Sequence, residues 1–316
     1  MERKKLKFEI LLEKLFKNFP KILLTNLLFA APSILFFIAF YYLSLAIFGE
    51  GKAYIPFILL CIIPIYPFYA GVVKVIRNIV RGDEEFSVVQ TFISGVRENF
   101  LPFLLHGCLI SVASIISFLS LNLYINLITQ SWIFGVLLFF TIIVVVFIFF
   151  TTLYLPLMTA TFDLPMRYVY KNSFLMSYGE FKNNLFATFA LIVLFGIILT
   201  VLLVTGSTLW LLIIIAALWA LLLPATYTLV YAFFIYDGMF RMVSGEGKKD
   251  FQKDKSAAEK PKTPVIEEND FSAIDVSKLR DTDDYIFFNG KMVKQSTLLK
   301  MVRENEQKHT EVNDHE

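Results

Sequence analysis

Two long stretches of the chain carry no Asp, Glu, Lys or Arg: residues 99–162, 64 in all, and residues 183–236, 54 in all. A helix needs about 20 residues to cross a hydrocarbon core of roughly 30 Å. An ionised side chain at the centre of a bilayer costs about 2.5–3.5 kcal/mol on insertion scales. Each stretch is therefore long enough for two crossings and a tight turn, and free of the groups that lipid excludes. Cysteine is almost missing as well. Cys61 and Cys108 both sit in apolar runs, which excludes a disulfide framework and a clustered zinc site and fits membrane-buried thiols. Of three histidines, two (His309 and His315) lie near the end of the chain. No Ser–His–Asp set, no paired acids in a credible pocket and no metal-ligand spacing is visible. The Gly-Glu-Gly-Lys words at 49–52 and 245–248 lack the spacing and setting of a phosphate loop. An enzyme is not expected, and neither is a cofactor. The apolar run from Ile22 is too long for the core of a cleavable signal peptide. Net charge is only +2, so nothing points to nucleic acid.

What is present is hydrophobic: 57% of the chain, with 34 Phe, against 18% charged residues. The fold class expected is all-α, a polytopic membrane helical bundle. Six transmembrane helices fit, over about Ile22–Phe48, Ala53–Val75, Leu101–Leu127, Trp132–Phe162, Leu185–Thr205 and Thr208–Tyr236. The connections at one side are very short: Gly49–Lys52, Thr129–Ser131 and Gly206–Ser207. Those at the other side are long and basic. The leader has seven cations (Arg3, Lys4, Lys5, Lys7, Lys14, Lys17, Lys21). Lys74, Arg77, Arg81 and Arg97 follow the second span. Arg167, Lys171 and Lys182 follow the fourth, and Arg241, Lys248 and Lys249 the sixth. The short side has Lys52 alone. Basic loops mark the cytoplasmic face, so both termini are expected in the cytoplasm of a cell membrane.

The basic segments end in similar phrases. Glu13–Phe19, Phe92–Phe100 and Phe174–Asn184 each join an amphipathic stretch, a charge and an Asn before an odd-numbered span. Every even-numbered span carries a proline: Pro67, Pro156 and Pro224. The unit reads as a short amphipathic interfacial helix, a span out, a turn and a span back, used three times. Any amphipathic helix entering a membrane from a basic side shares this look, so the threefold internal repeat stands beside that plainer reading. On 86–100, Val88, Val89, Phe92, Ile93 and Val96 fall near one face, which can lie along the headgroups or pack under the bundle.

The densest polar group runs from Arg77 through Arg81-Gly82-Asp83-Glu84 to Glu85. Its plain reading is a helix end, a glycine turn and acids favouring the start of the next helix. Its functional reading is a cytoplasmic docking surface of Arg77, Arg81, Gly82, Asp83, Glu84, Arg97 and Asn99. Pro64, Pro67 and Gly71 crowd the second span and form a candidate hinge. His106 is read as a packed imidazole rather than a proton relay, and Asp163 as a cap or turn. From Ser244 the composition changes. Residues 244–270 read as a disordered linker, and 271–316 as a small element. Asn289-Gly290 suggests a hairpin over Tyr285–Val293, and Ser296 could cap a helix from Thr297 to about Gln307. This element is expected to dock on a partner or on the cytoplasmic face of the membrane domain, residues 1–243; a mostly disordered tail is the equal alternative.

The words Pro67-Phe68-Tyr69-Ala70-Gly71-Val72, Arg77, Val80-Arg81-Gly82-Asp83-Glu84, Phe92 and Arg97-Glu98-Asn99-Phe100 resemble the signature region of the YesL family of bacterial integral membrane proteins. The likeness extends more loosely over about Phe8–Val243 and leaves out the tail. It implies a compact helical protein without established catalysis, serving carbohydrate uptake systems, and it brings no catalytic residues. The partners expected are the lipid bilayer and subunits of a carbohydrate importer. The rival reading is a small transporter of a neutral or lipidic solute, since ionisable groups within the spans are too few for ion-coupled transport.

Overall fold

The computed structural model describes residues 6–49, 54–83, 85–204, 208–244, 285–288 and 291–303. The leader before Leu6, the 50–53 turn, Glu84, residues 205–207, the 245–270 linker and most of the tail lie outside the described residues. The elements are α1 (Lys7–Lys17), α2 (Phe19–Phe48), α3 (Ile55–Ile58), a 3-10 turn at Leu59–Cys61, α4 (Ile62–Arg81), α5 (Val88–Leu127) and α6 (Trp132–Thr161). They continue with α7 (Met166–Gly179), α8 (Phe181–Val204), α9 (Thr208–Leu221) and α10 (Leu223–Ser244), then β1 (Tyr285–Phe288) and β2 (Lys291–Lys294). By contacts the chain forms two units: Met1–Ala160 with Met166–Gly238, and Thr161–Pro165 with Met239–Glu316.

The first unit is a helical bundle, as composition requires. Four helices are long and apolar enough to cross a membrane: Phe19–Phe48, Ile55–Arg81, Val88–Leu127 and Trp132–Thr161. A fifth crossing is available if Ile213–Leu221 and Leu223–Val243, bent by 49° at Leu222, count as one span. Phe181–Gly196 is a shorter apolar helix. The chain is an integral membrane protein with four or five such spans. Exposed Tyr42, Tyr54, Trp132 and Trp210 gather near the hairpin ends, where aromatic side chains favour a membrane–water boundary. On α2, Lys21 and Tyr42 are 21 residues apart, or about 30 Å of helix, the thickness of a hydrocarbon core.

The second span differs from expectation at both ends. Helix α4 continues six residues past Val75, so Lys74, Arg77 and Arg81 stand on the helix, not in a loop. Its length is stabilised at the end by Gly82 in the left-handed region (φ 86°), whose N–H bonds to Asn78 and Ile79 carbonyls. The acids at 83 and 85 precede α5 and do not occupy its first turn; Ser87 is the N-cap. Helices α4 and α5 form the most extensive pair, and α2 packs on α4, α5 and α9. The α4–α5 approach depends on glycine. A Cβ on Gly95 would lie 3.0 Å from the Ala70 carbonyl oxygen and from the Gly71 Cα, and one on Gly71 would lie 2.6 Å from the Phe92 ring. Gly71, expected in a hinge with Pro64 and Pro67, is thus a point of close packing. The irregular part of the span comes earlier, at Leu59–Cys61, where Ser111 Oγ donates to the Leu59 carbonyl at 3.0 Å.

Breaks in the backbone carry the repeat. Helix α1 ends at Asn18 (φ −105°, ψ 14°), and α5 kinks at Asn99 (φ −116°, ψ 17°). Both side chains donate back one turn, Asn18 to the Lys14 carbonyl at 3.0 Å and Asn99 to the Gly95 carbonyl at 3.1 Å. Glu180 separates α7 from α8. Asn18, Asn99 and Glu180 stand 81 residues apart, each followed by Phe (Phe19, Phe100, Phe181). The equivalent third carbonyl, Met176, accepts from Asn184 at 3.2 Å. The sixth apolar stretch also breaks, beside Pro224, and Asn26 of α2 closes that break. Its Nδ2 donates to the Leu221 carbonyl at 3.0 Å, and its Oδ1 accepts the Ala225 N–H at 2.7 Å.

Burial on α5 and α6 is one-sided. The buried residues of α5 run from Val88 to Ser111 and those of α6 from Phe150 onward. Residues 112–127 and 132–149 contribute none. On α5 and α6 the packed layer therefore lies in the half next to the basic segments, while at the other end Ser44 of α2 and Pro56 of α3 are buried. In the other half Leu123, Phe139 and Ile192 are more than half exposed, as lipid-facing side chains should be.

In the second unit β1 and β2 pair antiparallel with Phe288 opposite Lys291. Residues 295–303 are helical, starting one residue before the expected cap at Ser296. Phe288, Val293, Leu298 and Val302 form a small core. The hairpin has a third strand-like neighbour: Phe162 bridges Met292 in parallel, and the Asp163 N–H donates to the Met292 carbonyl at 3.1 Å. Phe162 also meets the Tyr285 and Phe240 rings at 5.8 and 6.1 Å.

Replacing Asn26 by Leu should destabilise the protein by about 1–3 kcal/mol for each of the two backbone groups it strands. Asn26→Asp keeps an acceptor for the Ala225 N–H but buries a carboxylate against the Leu221 carbonyl, so it should cost at least as much. Thermal unfolding of the full chain in detergent checks this ranking; an Asn26→Leu protein as stable as the parent would contradict the clamp.

Candidate functional site

The charged end of the bundle is built around the last three turns of α4. Lys14, from α1, donates to the carbonyls of Ile79 and Val80 at 3.3 and 3.0 Å. Four C-terminal carbonyls of a helix lack partners of their own, and a cation suits their negative end. Arg77 does the same for α6. It is 1% exposed; its Nη1 donates to the Ala160 carbonyl, and its Nε and Nη2 reach Asn78 Oδ1 at 3.3 and 3.0 Å. Lys74, nearly buried, pairs with Glu98 at 2.7 Å and donates to Ser94 at 3.1 Å, joining α4 to α5. The pair locks the same crossing that Gly95 lets close.

These contacts divide the residues expected to form a docking surface. Arg77 and Asn99 are buried and hold the bundle from inside, so neither presents its side chain to a partner. Gly82 shapes the turn. Arg81 and Asp83 lie near each other, at 4.0 Å, and are 20% and 42% exposed at the side chain. Arg97 is exposed on α5. Glu84 lies outside the described residues. The exposed part of the proposed surface is thus Arg81, Asp83 and Arg97. The Lys74–Glu98 pair was absent from the expected site. Its sequence signal was there, a lone lysine inside an apolar run with an acid opening the next one.

A second set of polar groups lies one to two turns deeper. His106 is fully buried. Its Nδ1 is 2.8 Å from the Tyr170 hydroxyl of α7, and its Nε2 is 2.9 Å from Thr159 Oγ1 of α6. Thr159 in turn donates to the Leu155 carbonyl at 2.8 Å. One assignment satisfies every atom: Tyr170 O–H donates to Nδ1, and the Nε2–H donates to Thr159. Burial, with a smaller contribution from Cys108, pushes the Tyr170 phenol up to about 12, so it keeps the proton it donates. His106 is therefore a packed imidazole, and it also ties three helices. Tyr69 makes a parallel connection, with its hydroxyl 2.7 Å from Thr228 and 3.2 Å from Tyr231 on α10. Tyr154 donates to Asn184 at 2.6 Å.

This interior is largely closed on itself. Most of its described hydroxyls, amides and ring nitrogens bond to one another or to backbone carbonyls, while Asn99 Oδ1 and Thr226 Oγ1 are buried without a hydrogen-bond partner. The cavity in this unit is of another kind. It has a volume of about 650 Å³ and is lined by Phe149 of α6, by Leu191, Phe195 and Leu199 of α8, and by Tyr227 of α10. It is open and almost wholly apolar.

Residues 22–123 match the model of a family described as "Protein of unknown function, DUF624". The match covers α2 to most of α5, and so includes Asn26, the α4–α5 crossing and His106. No curated protein and no solved structure matches the chain.

His106→Leu should cost about 1–3 kcal/mol, because Tyr170 loses its acceptor in a buried setting. Tyr170→Phe should then cost clearly less in the His106→Leu background than it costs alone. A double-mutant cycle on unfolding in mixed micelles checks this; strictly additive losses would mean that the two side chains do not interact.

Proposed function

We propose that the chain is a six-span accessory or regulatory component of a membrane transport system such as carbohydrate uptake, of the YesL type, without catalysis of its own. In this reading it lies in a bacterial cell membrane with both termini in the cytoplasm. It acts there on importer subunits through the Arg81–Asp83 turn. The observation that carries the reading is the break at Leu222, whose backbone groups a side chain already occupies. A broken span marks a substrate or ion site in many transporters because its free backbone groups face a cavity. Here Asn26 occupies those groups at Leu221 and Ala225. The resemblance to the YesL family supplies the direction toward carbohydrate uptake. Exposed charge at a helix end, beside a left-handed glycine turn, suits a reversible protein contact in which rim charges set encounter and register.

The second reading, a transporter of a lipidic solute, has the apolar cavity between α6, α8 and α10 in its favour. A neutral apolar solute needs no polar path, and a space of this size lies within the range of ligand pockets.

Affinity capture of the full chain from cells in mild detergent separates the two. The accessory reading expects importer subunits in the capture, lost when Arg81→Gln and Asp83→Asn are combined. Capture of no transport subunit, or capture indifferent to both changes, would contradict it. Movement of a fluorescent lipid across proteoliposomes by the purified chain alone would favour the transporter.

A further inference from the structure

The 81-residue step carries more than the breaks. At each step the helix before the break shows the same two faces. Leu11, Phe92 and Ser173 are equivalent, and all three are buried. Their successors Leu12, Ile93 and Phe174 are 49%, 54% and 51% exposed. One turn later Phe16 and Tyr178 are exposed, and Arg97 takes the same place in the middle copy. Each of these helices thus packs one face on the bundle and turns an apolar face outward.

What covers the outward faces follows from α5. Its exposed residues include Ile93 and Arg97 before the Asn99 kink and Leu101, Leu105 and Leu109 after it, at four-residue spacing. The residues after the kink must lie in hydrocarbon, and the turns just before it stand where the helix enters. On α7 the outward face holds Tyr168, Phe174, Leu175 and Tyr178 with Arg167 and Lys171 among them. On a helical wheel these six positions span about 120°. No acid occurs within Met166–Gly179, and the acid next to Arg97, Glu98, is engaged by Lys74. Among the described residues Arg97, Arg167 and Lys171 form no ion pair. A face that mixes aromatic rings with cations suits the headgroup boundary, where the rings enter the acyl region and the cations reach up to phosphate.

We infer that α1, the first turns of α5, and α7 are three in-plane helices seated in one leaflet, and that Arg97, Arg167 and Lys171 select anionic phospholipid headgroups there. This goes beyond the accessory reading and does not depend on it. Each cation near an anionic surface contributes about 1 kcal/mol, or roughly fivefold in affinity.

The test is lipid binding by the purified full chain in mild detergent, read by native mass spectrometry and by the thermal midpoint. Phosphatidylglycerol and phosphatidylcholine with identical acyl chains are compared, with glycerol phosphate as a soluble arm. Phosphatidylglycerol should bind more tightly and raise the midpoint further than phosphatidylcholine, and glycerol phosphate should do neither. Arg97→Gln, Arg167→Gln and Lys171→Gln should each weaken phosphatidylglycerol about fivefold and leave phosphatidylcholine unchanged. The combined variant should bind both lipids alike; if it does not fold, the single variants decide. Equal binding of both lipids, or a preference that survives the substitutions, would overturn the inference. So would reproduction of the shift by glycerol phosphate, which would mean a soluble-anion site. Loss of phosphatidylcholine binding in equal measure would reduce the three residues to a structural role.

Discussion

A backbone that breaks inside hydrocarbon has no water to turn to, and that constraint organises this bundle. Each irregularity is met by a side chain from the same chain. Asn26 clamps the Leu222 break, and Ser111 meets the Leu59 carbonyl at the 3-10 turn. Asn18 and Asn99 bond back across their own kinks, and Asn184 serves the carbonyls that end α7. At the charged end Lys14 and Arg77 answer the carbonyls that close α4 and α6. These groups join α1 to α4, α2 to the α9–α10 break, α4 to α6 and α5 to the 3-10 turn, so satisfying the backbone also decides which helices touch.

The same constraint explains why the packed layer on α5 and α6 occupies one half. Lipid tails are as apolar as leucine, so hydrophobicity alone does not hold spanning helices together. Close approach at small residues and buried hydrogen bonds must do it. Gly71 and Gly95, the Lys74–Glu98 pair, His106, Tyr69, Asn26 and Asn184 all lie near the charged end, and burial follows them. Beyond Ser111 and before Phe150 such residues thin out, and α5 and α6 there expose their side chains. The polar interior thus serves assembly.

Much of this was legible in the sequence. The charge-free stretches set the helical class, and Trp132 and Phe48 mark helix ends where hydropathy placed them. The repeat was visible as three short phrases ending in Asn. Its 81-residue register needed the matching kinks at Asn18 and Asn99. Proline did not say where a span would break. Pro67 and Pro156 sit in continuous helices, while the chain beside Pro224 bends by 49°. Arg77 and Asn99 looked like surface groups because local sequence cannot show that α6 ends against one and that the other stands at a kink facing the core. Asn26 gave no signal at all, since its partners are some 200 residues away. The tail hairpin was legible from Asn289-Gly290, but its pairing with Phe162 and Asp163 was not, because the four-residue connection between α6 and α7 carries no pattern of its own.

Hydrogen exchange of the full chain in lipid nanodiscs, resolved at 222–226, bears most directly on the break at Leu222. If Asn26 seals the break, the Ala225 amide should exchange as slowly as the amides of the flanking helices α9 and α10. Fast exchange at Ala225 in the folded protein would mean that water reaches the break, and would contradict a break sealed by Asn26.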